Sequence, residues 1–309
     1  MGKVNSAEVA KLLEGQLQVW DTAKNNFEAL KNVKVKELHL GKSTVKIQFN
    51  PARITSTAAK VDTKSLKERK CFLCAANRPA VQEEIACDDY TVLINPFPIF
   101  PKHLTIPCND HVDQRIASRI DKMLAIAKDL DEYTLFYNGP KCGASAPDHM
   151  HFQAGNRGFL TCEEDVNKGD KKELKKLDGA TLYSVEGLSH PFFLIQGTCP
   201  SCTKALFDQV YAVLPIPEGE PEPMLNILCW YTAEGWNLMI VPRKKHRPDC
   251  YYAEGDDNIL LSPASVDMGG VFITPLEKDF NKITAEDVAK IYAEVCFSEE
   301  QMNEVIKKL

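Results

Sequence analysis

No long hydrophobic run interrupts this sequence. Its apolar stretches, such as Pro191 to Gln196 and Leu225 to Tyr231, fall far short of the roughly eighteen residues that a bilayer-spanning helix needs. Nor is there a basic excess: 37 Lys and Arg stand against 43 Asp and Glu, a formal charge of -6. That balance excludes the positive field of a duplex-binding domain, while small anions can still bind locally. The start, Met1 to Asn5, is polar and lacks the apolar core and cleavage site of a secretory signal, so a cytoplasmic location is expected. A complete disulfide framework is not expected either. Eleven cysteines is an odd number, and a chain of 309 residues buries enough surface to fold without staples. The thiols are therefore read as reduced, and two Cys-x-x-Cys pairs need explaining.

What is present is ordinary globular material, 44% apolar and 26% charged, long enough for two domains or one doubled domain. From Asn5 to Asn32, Val9, Leu12, Leu13, Leu17, Trp20, Phe27 and Leu30 recur at three and four, which predicts one long helix, with Asn5 and Glu8 as its cap. Val45, Ile47 and Phe49 alternate after Gly41-Lys42 and predict the second strand of a hairpin begun near Val33. A polar loop is expected over Pro51 to Lys70. Further helices are expected at Asp113 to Leu130 and at Thr284 to Cys296, the latter with Thr284 and Asp287 as its cap.

A short match hints at duplication. Leu104-Thr105-Ile106-Pro107 is followed by His111, and Met239-Ile240-Val241-Pro242 by His246, so strand, proline and histidine recur at one offset. Between the copies, the lysine-rich stretch Lys168 to Lys176 reads as a solvated insertion or helix face.

The most informative segment runs from Leu135 to Gln153. A strand enters, a loop with two glycines and two prolines turns, and a second strand leaves. The two-residue period of that strand puts His149, His151 and Gln153 on one face and Met150 and Phe152 on the other. Backbone N–H groups around Gly143 to Ser145 can form a nest for an anion. By itself a His-x-His pair reads as a metal site or as a half-buried hydrogen-bonded strand. Cys71-Phe72-Leu73-Cys74 has the spacing of half a tetrahedral zinc site, or of paired buried thiols. Cys199-Pro200-Ser201-Cys202 is the second such pair.

Tyr137-Asn138, the Gly143-Ala144-Ser145 turn and His149-Met150-His151-Phe152-Gln153 together resemble the active-site segment of the histidine-triad superfamily, in its transferase branch. That branch includes galactose-1-phosphate uridylyltransferase, diadenosine tetraphosphate phosphorylase and GDP-L-galactose phosphorylase, and the motif looks closest to the last. Asn95-Pro96-Phe97-Pro98 leading to His103-Leu104-Thr105-Ile106 is similar to the branch's nucleotide-contacting strands. Pro242 to Pro248 with Met268-Gly269-Gly270 looks like its second half. One departure is that three residues separate Ser145 from His149, one more than in the uridylyltransferases.

The resemblance implies an α+β, doubled histidine-triad-like fold with two antiparallel half-sheets and flanking helices. It implies a division into residues 1–70 (helix, hairpin and loop), 71–165 (first half, with the active site), 166–190 (insertion or linker) and 191–309 (second half). It implies that His151 is the nucleophile of a nucleotidyltransferase or phosphorylase, with Gln153 and Ser145 beside it. The substrate would be a nucleoside diphosphate-sugar or dinucleoside polyphosphate, with a phosphate or sugar-phosphate acceptor. Asn95, Asn138, Gly143, Arg53, Arg243, Lys245, His246 and Arg247 would bind substrate. A structural zinc would sit on Cys71, Cys74, His111 and His149, and a homodimer fits the same picture. Two rival readings are a zinc-dependent hydrolase of phosphate esters and a zinc-stabilised nucleotide-binding protein without turnover.

Overall fold

The structure, a computed structural model, describes residues 4–58 and 62–309. The expected polar loop over 51–70 therefore lies partly outside the described residues. Where described, it contains short helical turns at Pro51–Arg53, Ile54–Thr57 and Thr63–Glu68. The strands in chain order are β1 (Lys34–Leu40), β2 (Ser43–Phe49), β3 (Ile85–Cys87), β4 (Tyr90–Ile94), β5 (His103–Pro107), β6 (Tyr133–Asn138) and β7 (His151–Asn156). They continue with β8 (Asp170–Leu177), β9 (Ala180–Glu186), β10 (Phe192–Gly197), β11 (Leu225–Thr232), β12 (Gly235–Pro242) and β13 (Val271–Thr274).

The first hairpin forms as the alternation predicts: β1 and β2 pair antiparallel around Gly41, whose φ of +58° suits a residue without Cβ. Val45 and Ile47 turn inward, and β13 adds to β2 in parallel. The N-terminal helix divides in two, Ser6–Val19 and Asp21–Leu30. Trp20 between them is extended (φ -110°, ψ 94°) and its indole is buried with Val9, Leu13 and Phe27, so the apolar spacing is shared by two helices. Asn5 does cap the first, accepting from the Glu8 N–H at 3.0 Å.

The other ten strands make one sheet in the order β3-β4-β5-β7-β6-β11-β12-β10-β9-β8. Outward from the central β6–β11 pair, the strands on one side are β7, β5, β4 and β3, and on the other β12, β10, β9 and β8. Each step matches at an offset of five in strand number. The helix Ile120–Asp129 lies between β5 and β6, and Pro200–Val213 between β10 and β11, so the chain is a duplicated unit joined edge to edge.

This corrects the repeat read from sequence. Pro107 ends β5 and Pro242 ends β12, but the counterpart of β5 is β10 and that of β12 is β7. The two prolines occupy non-equivalent strands, and the duplication lives in strand order rather than in that match. Lys168 to Lys176 is neither insertion nor helix face: it forms most of edge strand β8 of the second half, with β9 completing the 166–190 segment. Its lysines sit on an exposed edge, where charge discourages further strand pairing. None of the described helices is long and apolar enough to cross a membrane.

Each face of the sheet carries its own core. One contains Met150, Phe152 and Ala154 with the helices Ser6–Val19, Ile120–Asp129 and Pro200–Val213. The other contains Phe100, Phe136, Met239 and Val241 with β2, β13 and the helix Ala285–Val295. Met150 and Phe152 thus point away from the histidine row, as the period of two requires. The expected helix from Asp113 begins only at Ile120. Ser118 adopts φ +61°, and Gln114 is drawn out of helical register to bond the backbone of β6 and β7. The helix Ala285–Val295 has the Thr284/Asp287 capping box.

Candidate active site and metal centre

His151 and Gln153 stand on β7, a central strand clamped by neighbours on both sides, whereas His149, expected on the same strand, lies in the bend two residues ahead of it. Thr105 pairs with Gln153 and Pro107 with His151 across β5, while Phe136 pairs with Gln153 across β6. Gln114, fully buried, holds the head of the strand. Its Oε1 accepts from the His151 N–H at 2.7 Å, and its amide donates to the carbonyls of His151 and Asn138 at 3.0 Å each.

The His151 ring is oriented by its own chain. Nδ1 lies 2.8 Å from the His149 carbonyl, an acceptor, so Nδ1 carries the proton and Nε2 keeps the lone pair. Burial pulls this imidazole down to about 4, which leaves it neutral at physiological pH.

Gln153 is held from its oxygen side. His103 Nδ1 accepts from the Ile99 N–H at 3.0 Å, so Nε2–H donates to Gln153 Oε1 at 3.1 Å. Burial, then the charge of Arg53, lowers the His103 imidazole to about 3. Asn95 Nδ2 donates to the same Gln153 oxygen at 3.4 Å. The Gln153 amide nitrogen has no protein partner among the described residues. Arg53 reaches the same rim, donating to the Phe97 carbonyl at 2.7 Å. Ser145 is half-buried, and its hydroxyl has no protein partner among the described residues.

Cys71, Cys74, His111 and His149 place their ligand atoms within 4.8 Å of one another. Cys71 Sγ and Cys74 Sγ lie 3.2 and 3.5 Å from His149 Nδ1, and Cys74 Sγ lies 3.2 Å from His111 Nδ1. Sulfur and nitrogen bound to one tetrahedral zinc would sit about 3.6 Å apart, so the residues fit the ion after a small expansion. His149 Nε2 donates to the Cys108 carbonyl at 2.8 Å, the outer bond that aims Nδ1 at a metal. Burial pushes the Cys71 thiol up, but the His149 bond and the Leu73 and Cys74 N–H groups outweigh it and bring it down to about 6. The thiolate that a metal needs is thereby favoured.

Other expected substrate contacts are spent on the framework. All five N–H groups of buried Arg243 are used: on the Val295 carbonyl, on Asn226 Oδ1, and on the carbonyls of Pro263, Lys245 and His246, at 2.6 to 3.2 Å. It has none left for phosphate. Asn138 Oδ1 accepts from the Ser265 N–H and from Asn226 at 2.7 and 3.1 Å, so it ties the two halves together. Gly143 (φ +94°) is packed so closely that a Cβ there would lie 2.4 Å from Ala264 Cβ. Lys245 pairs with Asp249 and Glu294. Arg247 donates to Ser262 Oγ at 2.9 Å and stacks 4.2 Å over Tyr251. His246, lowered to about 4 by burial and by Arg247, Arg243 and Lys141, lies in a crowd of positive charge beside the Gly139–Ser145 loop.

Sequence reasoning missed His103, Gln114 and Asn226 as site supports. His103 carried a usable signal, a histidine heading a strand shortly after Asn95-Pro96-Phe97. Gln114 and Asn226 carried none, because each acts on residues distant in the chain.

Residues 12–156 match the family model described as a domain of unknown function, DUF4922, and residues 202–309 match that described as GDPGP1-like, C-terminal domain. No curated protein matches the sequence. In structure the chain is similar to yeast Ap4A phosphorylase Apa2. Against Apa2 in complex with Ap4A the TM-score is 0.63 at 17% identity, over 94% of this chain and 98% of that one. Against Apa2 in complex with AMP it is 0.60 at 17% identity, over 92% and 97%. These matches show that the chain shares the fold of Apa2 and that its last third is similar to a GDPGP1-like C-terminal domain.

Proposed function

We propose that this protein is a nucleotidyltransferase or phosphorylase acting on a dinucleoside polyphosphate or nucleoside diphosphate-sugar, with His151 as nucleophile. The observation that carries the reading is the His149 carbonyl at His151 Nδ1, which leaves a neutral Nε2 lone pair in a fixed direction. Nε2 attacks the α-phosphorus and the bond to the leaving phosphate breaks, giving a nucleotidyl-histidine. A phosphate oxygen of the acceptor then attacks that phosphorus and returns the imidazole. Gln153, its oxygen held by His103 and Asn95, offers its amide N–H to a non-bridging oxygen, where charge develops. Arg53, beside Phe97 and His103, suits a departing or entering phosphate, and the resemblance makes Ser145 the second candidate for that role. The Apa2 complexes with Ap4A and AMP favour the dinucleoside polyphosphate.

Cys71, Cys74, His111 and His149 would hold a zinc, which when bound ties the 71–74 loop to the start of the catalytic strand. The hydrolase reading is disfavoured by the rings themselves. His149 Nδ1 faces the thiols and His151 Nδ1 is spent on a carbonyl, so the two do not converge on one ion.

The test is mass spectrometry of the intact protein after mixing with a panel of dinucleoside polyphosphates and nucleoside diphosphate-sugars. A single nucleotidyl increment, absent in His151→Asn and discharged by inorganic phosphate, is expected. A His151→Asn protein that still accumulates the increment, or turnover by wild type without one, overturns the reading.

A further inference from the structure

The second Cys-x-x-Cys pair is used by neither the histidine row nor the metal cluster. It lies on the opposite face of the sheet, at the start of the helix Pro200–Val213, whose Leu206, Phe207 and Val210 pack into the core that contains Met150 and Phe152. Cys199 is the N-cap of that helix, and its sulfur accepts the Cys202 N–H at 3.3 Å. The two sulfurs are 2.7 Å apart, with Ser201 Oγ 3.2 Å from Cys199 Sγ. Closing to a disulfide needs the sulfurs to approach by only about 0.7 Å. The backbone beneath is fixed, since the N–H groups of Thr198 and Cys199 both donate to the Gly179 carbonyl in the β8–β9 turn.

We infer that Cys199 and Cys202 form a thiol–disulfide exchange site that reacts with low-molecular-weight disulfides. The two thiols are unequal in the way such chemistry requires. The Cys202 and Ser201 hydrogen bonds pull the Cys199 thiol down, while the same contact to Cys199 pushes Cys202 up. A helix N-terminus favours the thiolate further. Cys87 and Cys250, by contrast, are raised to about 11 by burial. Both thiols of the pair are partly exposed.

In the reaction, the Cys199 thiolate attacks one sulfur of the disulfide, the reagent's S–S bond breaks and one thiolate leaves. Cys202 then loses its proton and attacks Cys199 Sγ, forming the Cys199–Cys202 bond and releasing the second thiolate. The protein dithiol loses two electrons and two protons, and the reagent gains them as two thiols.

The test exposes the full chain to glutathione disulfide near neutral pH, traps remaining thiols by alkylation and maps every cysteine by peptide mass. The expected result is a Cys199–Cys202 disulfide formed ahead of any modification at the other mapped cysteines. Cys202→Ser should accumulate one glutathione on Cys199, whose N-cap sulfur keeps the N–H of residue 202, and Cys199→Ser should react at Cys202 about threefold or more slowly. A pair that stays alkylatable while other cysteines are oxidised overturns the inference, as does equal reactivity of the two single variants. Wild-type mapping decides the matter even if a variant fails to fold, and Cys71 and Cys74 are resolved on their own peptide.

Discussion

His103 Nε2 sits 3.1 Å from Gln153 Oε1, and the bond passes between neighbouring strands β5 and β7. Because Ile99 fixes the other ring nitrogen, the contact has one polarity only. The glutamine oxygen is occupied and its amide N–H₂ is presented. His103→Phe should therefore free the Gln153 side chain to flip and lower turnover by roughly tenfold to a hundredfold, the scale of a lost transition-state donor. His103→Gln, which can still donate to Oε1, should recover part of it. Thermal unfolding checks the fold in parallel, and single-turnover labelling of His151 separates the chemical step. Labelling at the wild-type rate in His103→Phe would exclude the positioning role.

Zinc supplies the second prediction. The four ligands join the 71–74 loop, the segment after β5 and the bend just before β7. Cys74→Ser should therefore lose the metal and about 2–4 kcal/mol of stability before nucleotide affinity falls. Elemental analysis of protein prepared without chelators should find one equivalent of zinc. Metal-free protein, or a Cys74→Ser variant as stable as wild type, would count against the site.

A third expectation concerns pH. Burial lowers the His190 imidazole to about 4, against the pull of the Met268 carbonyl 3.0 Å from Nε2. Between an ordinary value near 6.5 and that value, the unfolded chain binds the proton and the folded one does not. Stability is thus lost as pH falls through this window, by about 3 kcal/mol in all, and this group takes no more below it. His190→Gln can keep a bond to the Met268 carbonyl without titrating. Urea midpoints for wild type and variant should converge, or cross in the variant's favour, on going from pH 7 to about pH 4. Curves that stay parallel would remove His190 from the acid response.

His151 and Gln153 were legible in the sequence because strand periodicity is local: alternating on β7, they share one face, while His149 precedes the strand and turns its ring to the Cys71 and Cys74 thiols. The Cys71/Cys74 cluster was legible through resemblance, and its geometry bears out the grouping. The repeat was not, since the halves match in strand order while their side chains have diverged. On β12, the counterpart of β7, the apolar Met239 and Val241 pack into the core on the row's side of the sheet. The basic run Arg243 to Arg247 misled for a related reason. Charge density in one dimension does not say which cations are already bonded to backbone, and Arg243 takes its partners from β11, from the loop before β13 and from the end of the helix Ala285–Val295.

That assignment of Arg243 makes the last prediction. A phosphate ligand, when removed, would raise KM and leave stability alone. A buried guanidinium with five satisfied N–H groups does the reverse. Its loss leaves the Pro263, Lys245 and His246 carbonyls and Asn226 Oδ1 without this donor, the Val295 carbonyl keeping only the Lys244 N–H, and breaking such a buried charge costs about 3–5 kcal/mol. Asn226 also donates to Asn138 Oδ1 and to the Cys142 carbonyl, so the loop that leads into His149 should loosen with it. Arg243→Met is thus expected to lower the urea midpoint strongly. Arg243→Lys should recover little, because one ammonium group cannot span acceptors set out for a planar fork. Folded Arg243→Met, assayed well below its unfolding transition, should show reduced kcat with KM for phosphate within about threefold of wild type. A variant of undiminished stability with a large rise in that KM would return Arg243 to the substrate.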